Sequence, residues 1–465
     1  MRESNPRAQI HPLEANALSD GLTIAAIATV LGRGALATVR ISGPAASSLA
    51  RRMLDPSPTE ARRATHARLL DPNTRVVLDD VVATLYRAPS TFTGEDILEI
   101  STHGGVLVPT AVLAAVIRAG AREAEPGEFT RRAVLNGKLD LLQAEAIGDL
   151  IDARSTAAHR QALRQLDGGL TGRVLQLRQR ILQVEALLAY DIDFPEEDDG
   201  PIPKSQVMRA VDAALRDVSA LLATADQGTL IHDGALVVFA GAPNAGKSSL
   251  FNGLLGESRA IVTSFPGTTR DAIEAVLDRP LWPLRLVDTA GLRDTTDELE
   301  RLGIETSTRY LGRAALVLAC GESAEAVRDV ARLVHMATEA PVLAVLTKAD
   351  LVADRNELTD IIQVSAHTGE GLQVLLNAID ERLKVEHGAQ LSDAPGLTRA
   401  RHQAAVRCAT DELFAFGDAV RTHSVPASIA AIHIRSAADA LAELIGIVHT
   451  DDVLDVVFRQ FCVGK

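Results

Sequence analysis

The stretch GAPNAGKSSL, residues 241–250, stands directly after the apolar run ALVVFA. A glycine, four residues and then Gly-Lys-Ser is the spacing with which a strand turns into a helix around a phosphate chain. The physical demand is narrow. Gly241 and Gly246 leave room for backbone N–H groups to wrap phosphate oxygens at a helix N-terminus. Lys247 then reaches the β- and γ-phosphates and Ser248 ligates Mg²⁺, while Asn244, Ala245 and Ser249 complete the loop. Such a loop needs a strand before it and a helix behind it, so the chain must contain an α/β layer. The alternative is a chance glycine-rich turn.

Further stretches remove that alternative. DTAG (288–291) ends a hydrophobic strand, where Asp288 contacts Mg²⁺ through water and the Gly291 N–H faces the γ-phosphate, with Thr289 and Ala290 between them. GTTRD (267–271) lies in the intervening loop, with Thr269 placed to join the Mg²⁺ shell. TKAD (347–350) and SAHTGEG (365–371) each close a later strand. Asp350 offers a carboxylate to the N1–H and exocyclic amine of guanine, edges that adenine lacks. The Ala366 N–H, beside Ser365, reaches guanine O6, and Lys348 and Ala349 complete the base loop. These elements in this order specify a GTPase of the translation-factor-like class. Thr347 stands where such loops usually carry Asn; its hydroxyl can anchor locally but lacks the amide's second hydrogen-bonding group, which is expected to cost affinity. Leu292 follows DTAG where Ras-like proteins use a Gln to position water, so catalytic help must come from another side chain, a partner arginine or a cation.

Around this core the 465 residues divide by periodicity. Residues 1–19 are polar, without clean period, and are expected to be a disordered leader. In 20–138, TIAAIATV, ALATVRIS, DDVVATLY and DILEIST read as strands, and VLVPTAVLAAVIRAG reads as a helix with Pro109 near its start, a compact α/β domain. From 139 to 230 the period is helical; KLDLLQAEAIGDLIDARS sets Leu142, Ala146, Ile147, Leu150 and Ile151 on one stripe. Residues 231–385 alternate strand and helix, the mark of a mainly parallel sheet, and 386–465 return to helices. The fold expected is multidomain α/β plus all-α, with the P-loop domain inserted between two helical blocks that pack together.

Composition excludes some roles. A net charge of -14 argues against nucleic-acid binding by bulk electrostatics. No apolar run nears the ~20 residues a bilayer span needs and no secretory pattern opens the chain, so a cytoplasmic protein is expected. Three cysteines at wide spacing form neither a disulfide framework nor a metal pattern; Cys320 and Cys408 read as buried small hydrophobes, and only Cys462 lies outside an obvious core.

Long stretches carry a resemblance: GRGALATVRISG, FTGEDILEI with the following HGG, PGEFTRRAVLNGKLDLLQAEAIGDLIDA, IDFPEE, GAPNAGKSSLFN, IVTSFPGTTRD, DTAGLRDTTDELERLGIE and the final FCVGK. With these the chain resembles the MnmE (TrmE) family of tRNA-modification GTPases over most of residues 20–465, departing at Thr347, at Val134 for the usual Phe, at Val463 for the usual Ile, and in the leader. The resemblance implies an N-terminal tetrahydrofolate-binding domain, a central helical domain and an inserted Ras-like G domain. It implies a homodimer that works with the flavoprotein MnmG in a heterotetramer and installs an aminomethyl-type group, up to carboxymethylaminomethyl, at C5 of the wobble uridine of certain tRNAs. The one-carbon unit would come from a tetrahydrofolate derivative, the 5-formyl or methylene form. By the same resemblance Asn244 matches a K⁺ ligand, Thr263, Phe265 and Thr268 complete that shell, and Ser264, Pro266 and Gly267 share the nucleotide loop. Glu300 matches an acidic residue that orients the attacking water through a second water. Arg40, Glu99, Lys138 and Lys465 match folate ligands; a carboxylate at Glu99 suits the donor edge of a pterin.

The final stretch DDVLDVVFRQFCVGK (451–465) is amphipathic through Val453, Leu454, Val457, Phe458 and Phe461. Because Lys465 matches a folate position, the tail must reach the folate domain, within its own subunit or across the dimer. Cys462 then serves either as a nucleophile in the one-carbon chemistry or as a small residue packed beside the folate. Two rival readings are a GTP-switch ribosome-assembly factor of the Era type and a folate-binding scaffold whose GTPase only signals. The first leaves residues 20–140 and the last five residues without a purpose.

Overall fold

Alternation gives the N-terminal sheet two unlike faces. Its strands are β1 (Ile24–Ile27), β2 (Gly32–Ser42), β3 (Leu54–Asp55), β4 (Thr65–Leu70), β5 (Val77–Tyr86), β6 (Ile97–Gly105) and β7 (Arg122–Glu123), in the order β3-β4-β5-β6-β2-β1-β7. All pairs are antiparallel except β1 with β7. One face turns Val39, Ile41, Ala83, Leu85, Leu98 and Ile100 into a core beneath helices α1 (Ala46–Met53) and α2 (Leu107–Arg118). Each larger side chain there contributes roughly 1.5–3 kcal/mol of burial. The opposite face carries Ala26, Arg40, Glu99 and Thr84 in one cross-strand row, and Ile24, Ser42, Ile97 and Tyr86 in the next. The computed structural model describes residues 21–193, 203–257, 273–288, 310–352, 360–388, 395–422, 427–447, 454, 457–458 and 461–465. The leader expected over 1–19 lies outside them.

The described residues fall into two compact units, one drawn from residues 1–148, 166–179 and 438–465 and the other from 149–165 and 180–437. The first unit adds α3 (Glu128–Leu135) and most of α4 (Leu141–Asp152) to the sheet. Buried Leu454, Val457 and Phe458 join Val134, Leu141 and Ala144 in one cluster, so the tail of the chain packs into this unit. The smaller Val134 sits directly in that cluster.

Helices α5 (Thr156–Leu166), α6 (Gly169–Asp193), α7 (Lys204–Leu222) and α8 (Ala225–Asp233) lead to the second sheet. Its strands β8 (Ala235–Ala240), β9 (Ile273–Leu277), β10 (Leu284–Asp288), β11 (Leu316–Gly321), β12 (Val342–Leu346) and β13 (Ile362–Gln363) run in the order β13-β12-β11-β8-β10-β9. Every pair is parallel except β9 with β10. Covered on both faces, β8 and β11 are almost continuously apolar, as buried parallel strands must be. Helices α9 (Lys247–Glu257), α10 (Ala324–Ala337) and α11 (Leu372–His387) accompany this sheet, and α12 (Ala400–Thr422) and α13 (Ala427–Ile445) follow. Helix α12 packs against α7, so helices from either side of the inserted sheet do meet. At their base Asp149 accepts from His232 Nε2 at 3.1 Å and pairs with Arg399, while His232 Nδ1 contacts Asp233 at 2.6 Å. Burial alone lowers the His232 pKa, but the bonds to the two carboxylates outweigh it and raise the ring to about 9.

Two expectations need correction. Cys408 is exposed, because α12 buries His402, Val406, Ala409, Leu413 and Phe416, and a residue two positions after Val406 points away from that stripe. In α4 the buried residues are Leu141, Leu142, Ala144, Glu145 and Ala146, while Ile151 is 51% exposed. Its first turns are enclosed on several sides and its last turn emerges. Among the described residues no helix is long and apolar enough to cross a membrane.

Candidate functional site

The nucleotide motifs converge because each follows the C-terminal end of a parallel strand. The phosphate loop leaves β8, Asp288 ends β10, Thr347 follows β12 and Ser365 follows β13. In open parallel sheets that edge is where ligands bind. Gly241 lies against β11, where a Cβ would sit 2.4 Å from the Cys320 carbonyl oxygen, so only glycine passes. Asn244 is exposed with φ +63°, a left-handed conformation that Asn tolerates better than most residues. Ala245 is buried, and Ser248 and Ser249 are exposed in the first turn of α9. Lys247 is 5% exposed and its Nζ donates to the Gly241 and Ala242 carbonyls at 2.9 Å each. Asp288 is buried at the end of β10. Burial pushes the Cys320 thiol up to about 12; Lys247 opposes that rise and Asp288 adds to it.

Thr347 supplies the brace that its position needs. Its buried hydroxyl lies 2.6 Å from the Ala245 carbonyl and 3.0 Å from the Gly321 carbonyl, and its N–H donates to Gly321 at 2.9 Å. One side chain thus ties the 241–246 loop, the end of β11 and the turn after β12 together. Lys348 is left-handed at φ +54° and its ammonium pairs with Glu322. Ala349 donates to the Val364 carbonyl at 3.0 Å, and Asp350 is exposed in the 3₁₀ turn Ala349–Leu351. Ser365 is fully buried, its Oγ accepting from the Thr368 N–H at 3.2 Å; Ala366 packs beside Gly253 of α9. Thr263, Ser264, Phe265, Pro266, Gly267, Thr268, Thr269, Thr289, Ala290, Gly291, Leu292 and Glu300 lie outside the described residues.

The polar face of the N-terminal sheet carries a second group of the expected residues. Arg40 Nε and Nη2 both meet Glu99 Oε1 at 2.9 Å, and both side chains are about a quarter exposed, at 22% and 27%. The Arg40 guanidinium lies 5.9 Å from the ring centres of Phe92 and Phe129. Lys138 Nζ donates to the Pro89 carbonyl at 3.0 Å, and its stem lies near Gly94. The Lys465 carbonyl accepts from the Phe129 N–H at 3.1 Å, and the Cys462 carbonyl accepts from Gly127 at 3.4 Å. Gly127 and Phe129 begin α3, where amides have no acceptor within the helix, so the tail caps that helix. A Cβ on Gly464 (φ +96°) would sit 2.7 Å from the Ile27 carbonyl oxygen, which accounts for the glycine of CVGK. Cys462 itself is exposed. Beneath these residues, Glu95 accepts from Ser42 and from the 4% exposed Arg132, which also pairs with Glu128. Much of FTGED and PGEFTRR is therefore scaffold.

Arg40, Glu99, Lys138 and Lys465 are thus carried on adjoining parts of one unit. Sequence reasoning missed the rings of Phe92 and Phe129 and the flank made by Tyr86 and Arg62. Tyr86 and Thr84 share a face of β5, but the register of β5 against Glu99 is not written in either strand. A separate cavity of about 820 Å³, lined by Asp149, Arg154, His232 and Arg285 among others, contains none of the expected site residues.

The family model for the GTP-binding protein TrmE N-terminus matches residues 23–138, and that for the MnmE helical domain matches residues 141–462. The tRNA modification GTPase MnmE of Alkaliphilus oremlandii is 38% identical over 458 residues, covering 95% of this chain and 99% of its own. Those of Aquifex aeolicus (39% over 448 residues, 95% and 99%) and Azoarcus sp. (41% over 451 residues, 95% and 98%) are comparably similar. Among solved structures, the G domain of the T. maritima FeoB iron transporter is 28% identical over 34% of this chain and 99% of its own, with a TM-score of 0.25. By both family models and by relatives matched along 95% of its length, the chain belongs to the MnmE family of tRNA modification GTPases.

Proposed function

We propose that this chain hydrolyses GTP at the β8–α9 loop and uses a folate-derived carbon in modifying the wobble uridine of certain tRNAs. The observation that carries the first half is the convergence of Lys247, Asp288, Thr347, Asp350 and Ser365 at one sheet edge, braced by the Thr347 hydroxyl. Lys247 exchanges two loop carbonyls for the β- and γ-phosphates. Asp350 accepts from the donor edge of guanine, and the Ala366 N–H meets its O6. Ser248 and Thr269 would hold Mg²⁺, and Asn244, Thr263, Phe265 and Thr268 would hold K⁺; the exposed amide of Asn244 suits a hard cation. These ions supply positive charge where it is needed as the phosphate bond breaks. Glu300 orients the attacking water, a role that Leu292 has no group to fill.

The second half rests on a donor set that fits a reduced folate. A half-buried carboxylate paired with a guanidinium, which itself has two aromatic rings centred 5.9 Å away, suits a flat pterin with a row of N–H donors. Arg40, Lys138 and Lys465 suit the anionic tail of the 5-formyl or methylene derivative, which supplies the one-carbon unit. Cys462 is not packed in a core, which favours the nucleophilic role over a packing role. We assign 20–138 to the folate domain, 139–230 and 386–465 to the helical domain, and 231–385 to the G domain, in a cytoplasmic homodimer acting with MnmG and tRNA. The test is nucleoside mass spectrometry of tRNA incubated with the chain, MnmG, GTP, K⁺ and a reduced folate. Cys462→Ser is expected to lose the modified uridine while keeping GTP hydrolysis and folate binding. Full modification by this variant leaves the tail as a folate clamp, and no product from the unaltered chain overturns the reading.

A further inference from the structure

We propose that Tyr86 is a positioning residue for Glu99: its phenol donates to the carboxylate and fixes the plane in which that carboxylate meets a pterin. The inference rests on the folate reading and adds a specificity determinant to that site. Glu99 lies between Arg40 on β2 and Thr84 on β5, and Tyr86, two residues beyond Thr84, rises from the same face. Both Arg40 nitrogens use the single oxygen Oε1, which leaves Oε2 for other donors. The last torsion of a Glu side chain is broad and roughly twofold, so an anchor on one oxygen leaves the carboxylate free to turn. A second donor removes that freedom. Thr84 and Tyr86 both carry a hydroxyl on this face, on the side away from Arg40, and the longer Tyr86 side chain reaches diagonally towards Glu99. It is half-buried, its ring lies 5.9 Å from the Arg62 guanidinium, and Arg62 is itself tied by its N–H to the Leu85 carbonyl at 2.8 Å. Burial first, and then the negative charge of Glu99, raise the phenol's pKa, while Arg62 and Arg40 oppose the rise; the phenol is therefore a donor at neutral pH. A planar donor edge needs an acceptor pair of fixed plane, so a locked carboxylate discriminates where a turning one does not.

Two measurements on the full chain test this. Titration of tyrosinate absorbance needs no ligand; the chain has three tyrosines, and the Tyr86 component is the one missing from Tyr86→Phe. Replacing Glu99→Gln is expected to shift that component to lower pH, and an unmoved component refutes the contact. Binding of 5-formyltetrahydrofolate is then compared in the unaltered chain, Tyr86→Phe and Thr84→Val. Tyr86→Phe is expected to bind about tenfold more weakly, the scale of one hydrogen bond to a charged group, with an unchanged unfolding midpoint. Thr84→Val is expected to match the unaltered chain. Equal affinity of Tyr86→Phe and the unaltered chain overturns the inference and leaves the folate reading standing. No binding by the unaltered chain overturns the folate reading, and this inference with it.

Discussion

Replacing Thr347 by Val tests whether the base loop and the phosphate loop act as one part. Valine keeps the branched volume that packs against Gly246, whose Cβ position is 3.2 Å from the Thr347 Cβ, so packing is conserved. The hydroxyl is lost. The Gly321 carbonyl keeps the Thr347 N–H at 2.9 Å, but the Ala245 carbonyl loses its 2.6 Å partner. Leaving one buried acceptor unsatisfied costs about 1–3 kcal/mol. A nucleotide bound as proposed would touch the phosphate loop at one end and the base loop at the other, so much of that cost is expected to fall on affinity. We expect guanine nucleotides to bind about tenfold more weakly, equivalent to about 1.4 kcal/mol. The assay is equilibrium titration with a fluorescent GDP analogue, alongside thermal unfolding, with Thr347→Ser as the variant that keeps the hydroxyl. Affinity within twofold of the unaltered chain, with or without lost stability, refutes the coupling.

Other outcomes follow from the same geometry. Gly464→Ala forces a Cβ into the Ile27 carbonyl, so hydrogen exchange at residues 461–465 should speed up and folate affinity should fall; unchanged exchange would show that the tail is not seated there. His232 is raised to about 9 in the folded chain against an ordinary 6.5, so its contribution to stability is complete below about 6.5 and is lost as pH rises towards 9. Calorimetry from pH 6.5 to 9.5 should show a fall in the unfolding temperature that His232→Gln lacks, and equal slopes would contradict it. Asp350→Asn should weaken GTP and improve xanthosine triphosphate, because an amide can donate to xanthine's extra oxygen; an unchanged preference in competition would mean that the base is read elsewhere.

What was legible in the sequence follows from how local each feature is. The phosphate loop is contiguous, so Gly241, Lys247 and the strand–helix context could be read directly, and the strands of the parallel sheet stood out as uninterrupted apolar runs. The antiparallel edge β9 is not legible, because IEAVL is too short to set a period of its own. Thr347 could be seen as a departure, but its partners are carbonyls of Ala245 and Gly321, and backbone acceptors leave no trace in side-chain identity. The same holds for the tail, whose apolar spacing announced packing while its capping of α3 depends on two backbone carbonyls. The neighbours of Glu99 needed the register of three strands, one of them irregular between Gly32 and Leu36. The exposure of Cys408 is not legible, because helical periodicity fixes a stripe only once one buried residue is known.

The most direct measurement of the central claim is steady-state GTP turnover by the full chain in two buffers that differ only in K⁺ against Na⁺. Turnover is expected to be faster in K⁺, with a loss on the order of 10²-fold in Glu300→Ala and GTP binding retained. Equal rates in the two buffers would contradict it.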